Sequence, residues 1–453
     1  MAILKFLALN QMETLNTLRE NALEIFYAGL RAVESDVCMR RHIHLTGSIL
    51  KIGKRAYNLN KFKDIYIVGF GKISGFMAAT LEGLLIGLIK AGIVNVPHGY
   101  TPPCRVVKLN MAEHPIPDEA GIEGTREIVH LLKKANENDL VLCLISGGGS
   151  ALFELPCDGI SLGEIQKVTA LLLKSGARID EVNTIRKHLS MVKGGRLAKM
   201  CKAEIVSLIL SDVIGDRLDT IASGPTSPDY STFLDCKKIF MKYGLFQKIP
   251  ASIKAHIKKG LEGKIEETPR VTDKIFDSVY HVIIGNNHIA LKAAYKKAMG
   301  LGYHTCILSS YISGEAREVA KIFGAIAKEI HRSGNPAKRP ACIIAGGETT
   351  VIVRRNGQGG RNQEFVLSAA QEIKGLENTV ILSAGTDGID GNTNATGAIA
   401  DGFTVMRASR MAMNPETYLD DNNSYSFFKE LNDLIITGHT KTNVMDIMLL
   451  LVK

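Results

Sequence analysis

The sequence predicts an α/β protein of two domains with mainly parallel sheets. Three observations carry that prediction. Short runs rich in Ile, Val and Leu alternate with helix-length segments, the pattern of strands joined by crossover helices. Run after run exits into glycine accompanied by Ser, Thr, Asp, Asn or Lys. The alternation stops from Tyr243 to Thr268, where lysines are dense and no long strand is predicted, and then restarts. That pause places a domain junction near 245–275 in a chain of 453 residues.

In chain order, Leu15–Val33 carries Leu18, Ala22, Ile25, Phe26, Leu30 and Val33 at helical spacing and predicts an amphipathic helix that packs on the next segment of the chain. Lys63–Gly69 reads as a strand that exits through Gly69-Phe70-Gly71-Lys72 into a helix over Ser74–Ile89. Two glycines match a dinucleotide fingerprint, but the next, Gly75, comes one residue late, so the motif is not met. Lys72, at a strand end beside a helix start, can reach a phosphate or a carboxylate; an exposed turn lysine is the alternative. Ile93–Val96 and Arg105–Leu109 are further strands, and Asp118 caps a helix over Glu119–Lys134. His114, beside prolines in a rigid turn, is either a donor to a ligand or structural.

Leu140–Ile145 is a buried strand that exits into Ser146-Gly147-Gly148-Gly149-Ser150. Three consecutive glycines are costly in chain entropy and suit a backbone that wraps an anion with its amides. Leu162–Ser175 is helical. Asn183–Ala198 is the densest basic stretch, with Lys193 beside Gly194-Gly195, and fits either a polyphosphate site or a solvated helix face. Glu204–Leu210 is a strand leading to Asp212, Asp216 and then Ser223-Gly224-Pro225. An aspartate past a strand end suits hydrated Mg²⁺ or simple turn capping.

Beyond the junction, Val279–Gly285, His304–Leu308, Cys342–Ala345, Thr349–Val353, Thr379–Ser383 and Leu434–Thr437 are predicted strands. Ala290–Met299, Ser313–Arg332 and a short segment from Asp446 are predicted helices. Gly346–Glu364 holds two glycine clusters and ends with Arg361 at a helix start, an anion-binding arrangement with a forked guanidinium. Thr379–Ser383 exits into Asp387, again a carboxylate among glycines.

Composition narrows the function classes. Aromatics are 6% and Trp is absent, which argues against stacking platforms for single-stranded nucleic acid. The net charge of +9 suits attraction of anionic small molecules. Eight cysteines without a C-x-x-C pair point to a reducing cytoplasm rather than a disulfide scaffold or zinc ribbon. No leader peptide or membrane span is expected. Carboxylates and phosphate cradles at the strand exits of two facing domains read as a phosphoryl-transfer enzyme.

The segments SGGGSALFELP, HLSMVKGGRLA, SDVIGDRLDTIASGPTSPD, GGETTVIVRRNGQGGRNQE, SAGTDGIDGNTNATGAIADG and TGHTKTNVMD resemble the glycerate 2-kinases of the MOFRL group. The resemblance runs from about residue 12 to the end. It implies ATP- and Mg²⁺-dependent phosphorylation of D-glycerate to 2-phosphoglycerate, with another divalent cation as a substitute. It implies a Rossmann-like N-terminal domain over 1–250, a MOFRL-type α/β domain over 275–453, and an active site in the cleft they form. Carried onto this chain, Lys72 neutralises charge near the substrate and Arg361 binds its carboxylate or the transferring phosphate. Asp212 and Asp387 are metal ligands or general base. Ser146, Gly147, Gly148, Gly149, Ser150, Lys193, Gly194, Gly195, Glu348 and Asn362 bind substrate or nucleotide. A cytoplasmic monomer or homodimer with no nucleic-acid or membrane partner is expected. Ile214 and Lys441 stand where the family commonly has proline and glycine, without loss of a functional group. The competing classes are an oxidoreductase of the hydroxypyruvate reductase type, prompted by Gly69 and Gly71, and a non-catalytic metabolite-binding regulator.

Overall fold

The computed structural model describes the backbone of residues 2–453 and side chains from Glu13 onward. Two compact units divide it: one of residues 38–284, the other of residues 1–37 with 285–453.

In the unit of residues 38–284, a six-stranded sheet runs in the order Val107–Ala112, Ile89–Pro97, Ile65–Phe70, Leu140–Ile145, Glu204–Leu210, Val279–Gly285. The first five strands are mutually parallel. Parallel pairing brings their carboxyl ends to one edge, so Phe70 and Ile145 lie in register and their glycine exits start side by side. Leu140–Ile145 is buried at every position, as a strand covered on both faces must be. Helix Glu119–Lys134 has the expected bounds, and the Asp118 carboxylate accepts from the Gly121 amide at 2.9 Å. A helical satellite core forms around Phe233, Phe240 and Ile253. A three-stranded antiparallel sheet over residues 43–58, which the sequence pattern did not predict, precedes the main sheet.

The other unit corrects the expectation of a parallel sheet. Its strands run in the order His304–Glu315, Ala341–Thr350, Asp446–Val452, Thr379–Gly385, Gly397–Asp401, Leu434–Ile435, and only the first pair is parallel. Residues 446–452, predicted as a short helix, form instead a fully buried central strand. The run IMLLLV is apolar at every position, and a short all-apolar run carries no periodicity to separate helix from buried strand. Ala341–Thr350 continues straight through Gly346 and Gly347, so the separate strand predicted at Thr349–Val353 does not form. Residues predicted to open the helix at Ser313 extend the strand His304–Glu315, and the helix begins at Ala316.

Helix Ala2–Ala32 buries every apolar position its spacing predicted, but against this second unit rather than the next segment of the chain. Charge explains the choice. Arg19 reaches Asp401 and Asp433, both nearly fully buried, at 2.5 Å each. The small Gly29 lets the helix approach Ala290. Strand Val279–Gly285 likewise differs from its expected place: it flanks Glu204–Leu210 in the first sheet instead of opening the second half. The sequence-based division at 1–250 and 275–453 therefore differs from the observed units at both ends of the first.

Candidate active site

In the unit of residues 38–284, two strand exits are laced together. The Lys72 amide donates to Gly147 O at 2.8 Å, and the Ile73 amide to Ser146 Oγ at 3.0 Å. Ser146 Oγ also pairs with Ser74 Oγ at 2.9 Å. Gly148 takes φ +82°, and a Cβ there would stand 2.9 Å from the His114 ring and 3.2 Å from Lys72 Cγ. Gly148 is thus needed for close approach, and the amides of Gly147 and Gly148 donate to no described residue. Burial, reinforced by the neighbouring Lys72 charge, pushes the His114 imidazole down to about 4, so it is neutral at physiological pH. The sequence left His114 undecided; its ring packs against this loop at Gly148.

Ser150 Oγ pairs with Ser223 Oγ at 2.9 Å, and Ser223 Oγ donates to Asn183 Oδ1 at 3.1 Å. Ala222 and Ser223 both hold positive φ, at 50° and 61°. Two consecutive non-glycine residues in that region store strain, a feature that clusters at functional sites. Asp212, half-buried, follows the strand Glu204–Leu210 at the same edge of the sheet.

Lys193, Gly194 and Gly195, expected to bind substrate or nucleotide, are engaged within the fold. Lys193 is fully buried, and its Nζ donates to Ser150 O at 2.9 Å, to Phe153 O, and pairs with the buried Glu154 at 3.3 Å. Burial lowers the affinity of this amine for its proton, and Glu154 opposes that. The Gly194 and Gly195 amides are occupied by Ser223 O and Gly224 O at 3.0 and 2.7 Å. Their glycine identity answers positive φ and close approach by Thr268 and Phe276. Lys187 is also committed, to Asp229 at 3.1 Å and Asp219 at 3.7 Å, beside a polar cavity of about 270 Å³.

In the other unit, the loop between Thr350 and Arg361 ends at helix Arg361–Glu372. The amides expected to bind an external anion are occupied from within. Asp390 accepts from the Asn362 and Gln363 amides at 3.1 and 2.9 Å. It also accepts from the side chains of Asn362 at 3.2 Å and Gln363 at 2.9 Å. Burial raises the Asp390 carboxyl to about 6; the two amides oppose the rise and the Asp446 charge adds to it.

Arg361 is gripped by Asp446, with Nε at 2.6 Å and Nη2 at 3.0 Å from the two carboxylate oxygens. Its Nη1 donates to Glu348 at 2.8 Å. Its pKa is raised: burial alone would lower it, and the Asp446 carboxylate outweighs that. Asn362, expected among the binding residues, donates from its side chain to Asp446 at 3.0 Å. Asp387 lies half-buried beside Gly385, where a Cβ would also meet the Asp446 carboxylate. Asp446 and Asp390 were missed in the sequence because each takes its role from a partner distant in the chain; GIDGN and NVMD gave only weak hints. Among the described residues no group of three or more His, Cys, Asp or Glu converges as a preformed metal site. Single carboxylates at strand exits fit Mg²⁺, which keeps waters and takes phosphate oxygens. The open amides of Gly147 and Gly148 beside Lys72 fit a polyphosphate.

Glycine-lined strand exits bearing a lysine, a forked arginine and carboxylates on α/β units are the equipment of a kinase. Residues 21–258 match a domain of unknown function (DUF4147), and residues 341–446 match the MOFRL family. The glycerate 2-kinase of Pyrococcus horikoshii is 43% identical, over 86% of this chain and 87% of its own. The D-glycerate 2-kinase of Thermotoga maritima is 44% identical, over 85% of this chain and 90% of its own. A crystal structure of glycerate kinase from Thermotoga maritima superposes with a TM-score of 0.85 at 41% identity, over 97% of this chain and 100% of that one. The chain belongs to the glycerate kinase family.

Proposed function

We infer that this chain phosphorylates D-glycerate from ATP, at the 2-hydroxyl, with Mg²⁺ or another divalent cation and in the cytoplasm. Identity to two glycerate 2-kinases over most of both chains carries the reaction and the substrate. The uncommitted amides of Gly147 and Gly148 beside Lys72 carry the reading of the phosphate side. Among the described residues no helix is long and apolar enough to cross a membrane.

Phosphoryl transfer asks the protein for positioning and charge neutralisation more than for covalent chemistry. ATP, when bound, supplies the transferring group, and a divalent cation would neutralise its oxygens. The amides of Gly147 and Gly148 hold phosphate oxygens. Lys72 offsets negative charge, and neutral His114 leaves that charge undiluted while donating a hydrogen bond. Arg361 binds the substrate carboxylate or the transferring phosphate. Of Asp212 and Asp387, one ligates the cation and the other accepts the hydroxyl proton. Ser146 and Ser150 frame the loop through Ile73 and Ser223.

The decisive measurement is ADP release with D-glycerate, read in parallel through enolase. Enolase consumes 2-phosphoglycerate directly, so signal without added mutase is expected; signal only after mutase reassigns the product to 3-phosphoglycerate. Chelation of divalent cations should abolish turnover and Mg²⁺ restore it. Lys72→Ala or Arg361→Ala within a few-fold of wild-type kcat/KM removes that residue from the site.

A further inference from the structure

Two carboxylates hold Arg361, and they differ in kind. Asp446 is fully buried and takes the Nε and Nη2 edge; the Glu348 side chain is 46% exposed and takes Nη1. Asp446 opens the central strand, and its cross-strand partners on both sides are glycines, Gly347 and Gly385. Directly opposite residues share a face of the sheet, so two absent side chains leave room there for a carboxylate and a guanidinium. The carboxylate is itself oriented. Asn362 donates to it at 3.0 Å, and Ser383 Oγ fixes Asn362 Oδ1 at 2.6 Å. Asn287 holds the Asp446 carbonyl at 2.9 Å. One edge of the guanidinium is therefore locked into the sheet while the other faces an exposed acid.

We propose that Asp446 is the positioning residue for Arg361, and that Glu348 is an exchangeable stand-in for the anionic group of the substrate. This rests on the reading of Arg361 as a substrate-binding residue. A substrate carboxylate or phosphoryl oxygen replaces Glu348 on Nη1, while Asp446 keeps its edge throughout. The asymmetry follows from burial: breaking a buried, hydrogen-bonded pair is costly, whereas an exposed pair contributes little and exchanges.

The test is a double-mutant cycle on kcat/KM for D-glycerate, with melting temperatures recorded for each variant. Asp446→Asn should lose about 100-fold, the penalty of an approximately 1 Å misplacement of a reacting group. Arg361→Ala/Asp446→Asn should be no worse than Arg361→Ala by more than about threefold, since Asp446 acts only through Arg361. A double variant that loses the product of both single effects overturns the proposal, as does Asp446→Asn at wild-type activity. Arg361→Ala at wild-type activity overturns instead the reading of Arg361 on which it rests. Should Asp446→Asn fail to fold, Glu348→Gln carries the test at the surface: KM for D-glycerate falls by about two- to fivefold as the competitor is removed, the range of an exposed pair. A raised KM makes Glu348 a substrate ligand and overturns the exchange.

Discussion

Lys193→Met separates a framework lysine from a phosphate ligand. The ammonium has three acceptors, Ser150 O, Phe153 O and Glu154 Oε2, and it is fully buried with them. Methionine keeps the bulk and removes the charge, leaving the Glu154 carboxylate, 2% exposed, with the Leu155 amide at 3.0 Å as its remaining donor. A buried charge stripped of its hydrogen-bonded partner costs about 3–5 kcal/mol, an upper bound here because the neighbouring Arg186 charge offsets part of it. In a domain of about 150–250 residues each kcal/mol moves Tm by about 2–4 °C, so the expected loss is at most about 6–20 °C. Glu154→Gln in the same chain removes the stranded charge and should restore at least half of that loss. Thermal unfolding followed by circular dichroism, with KM for ATP measured on the wild type and the two variants, decides the matter. A Lys193→Met protein with wild-type Tm, a raised KM for ATP and no rescue by Glu154→Gln would refute the framework role and return Lys193 to the phosphates.

Gly148→Ala places a side chain at φ +82° and a Cβ 2.9 Å from His114. The left-handed conformation alone costs about 1–2 kcal/mol, and relief by loop movement should raise KM for ATP several-fold; an unchanged KM would sever this loop from the nucleotide. Asp390 provides a pH signature. Its folded carboxyl is raised from 3.8 to about 6, so its contribution to stability is full below 3.8 and is lost as pH rises through 6. Unfolding free energy of wild type relative to Asp390→Asn should therefore decline from pH 4 to pH 7, and parallel curves would contradict the assignment.

Local chemistry was legible in the sequence. Helical spacing located the buried face of the first helix, Asp118 marked a cap, and glycine clusters marked the exits at Gly71 and Ser146–Gly149. These features depend on neighbours within a few residues, which is why pattern and propensity reach them. Strand direction was not legible: 447–452 is apolar throughout, and only the pairing of 446–452 with 341–350 and 379–385 makes it an antiparallel centre. Nor could the sequence say which charges already have partners. Lys193 meets Ser150 across 43 positions and Arg361 meets Asp446 across 85. A basic residue beside glycines reads as an anion site until its partner is known. The family and the residue types of the site belong to the sequence. The division of those residues into open donors, such as the Gly147 and Gly148 amides, and committed ones belongs to the tertiary structure, because a hydrogen bond closed across the fold leaves no local trace in the chain.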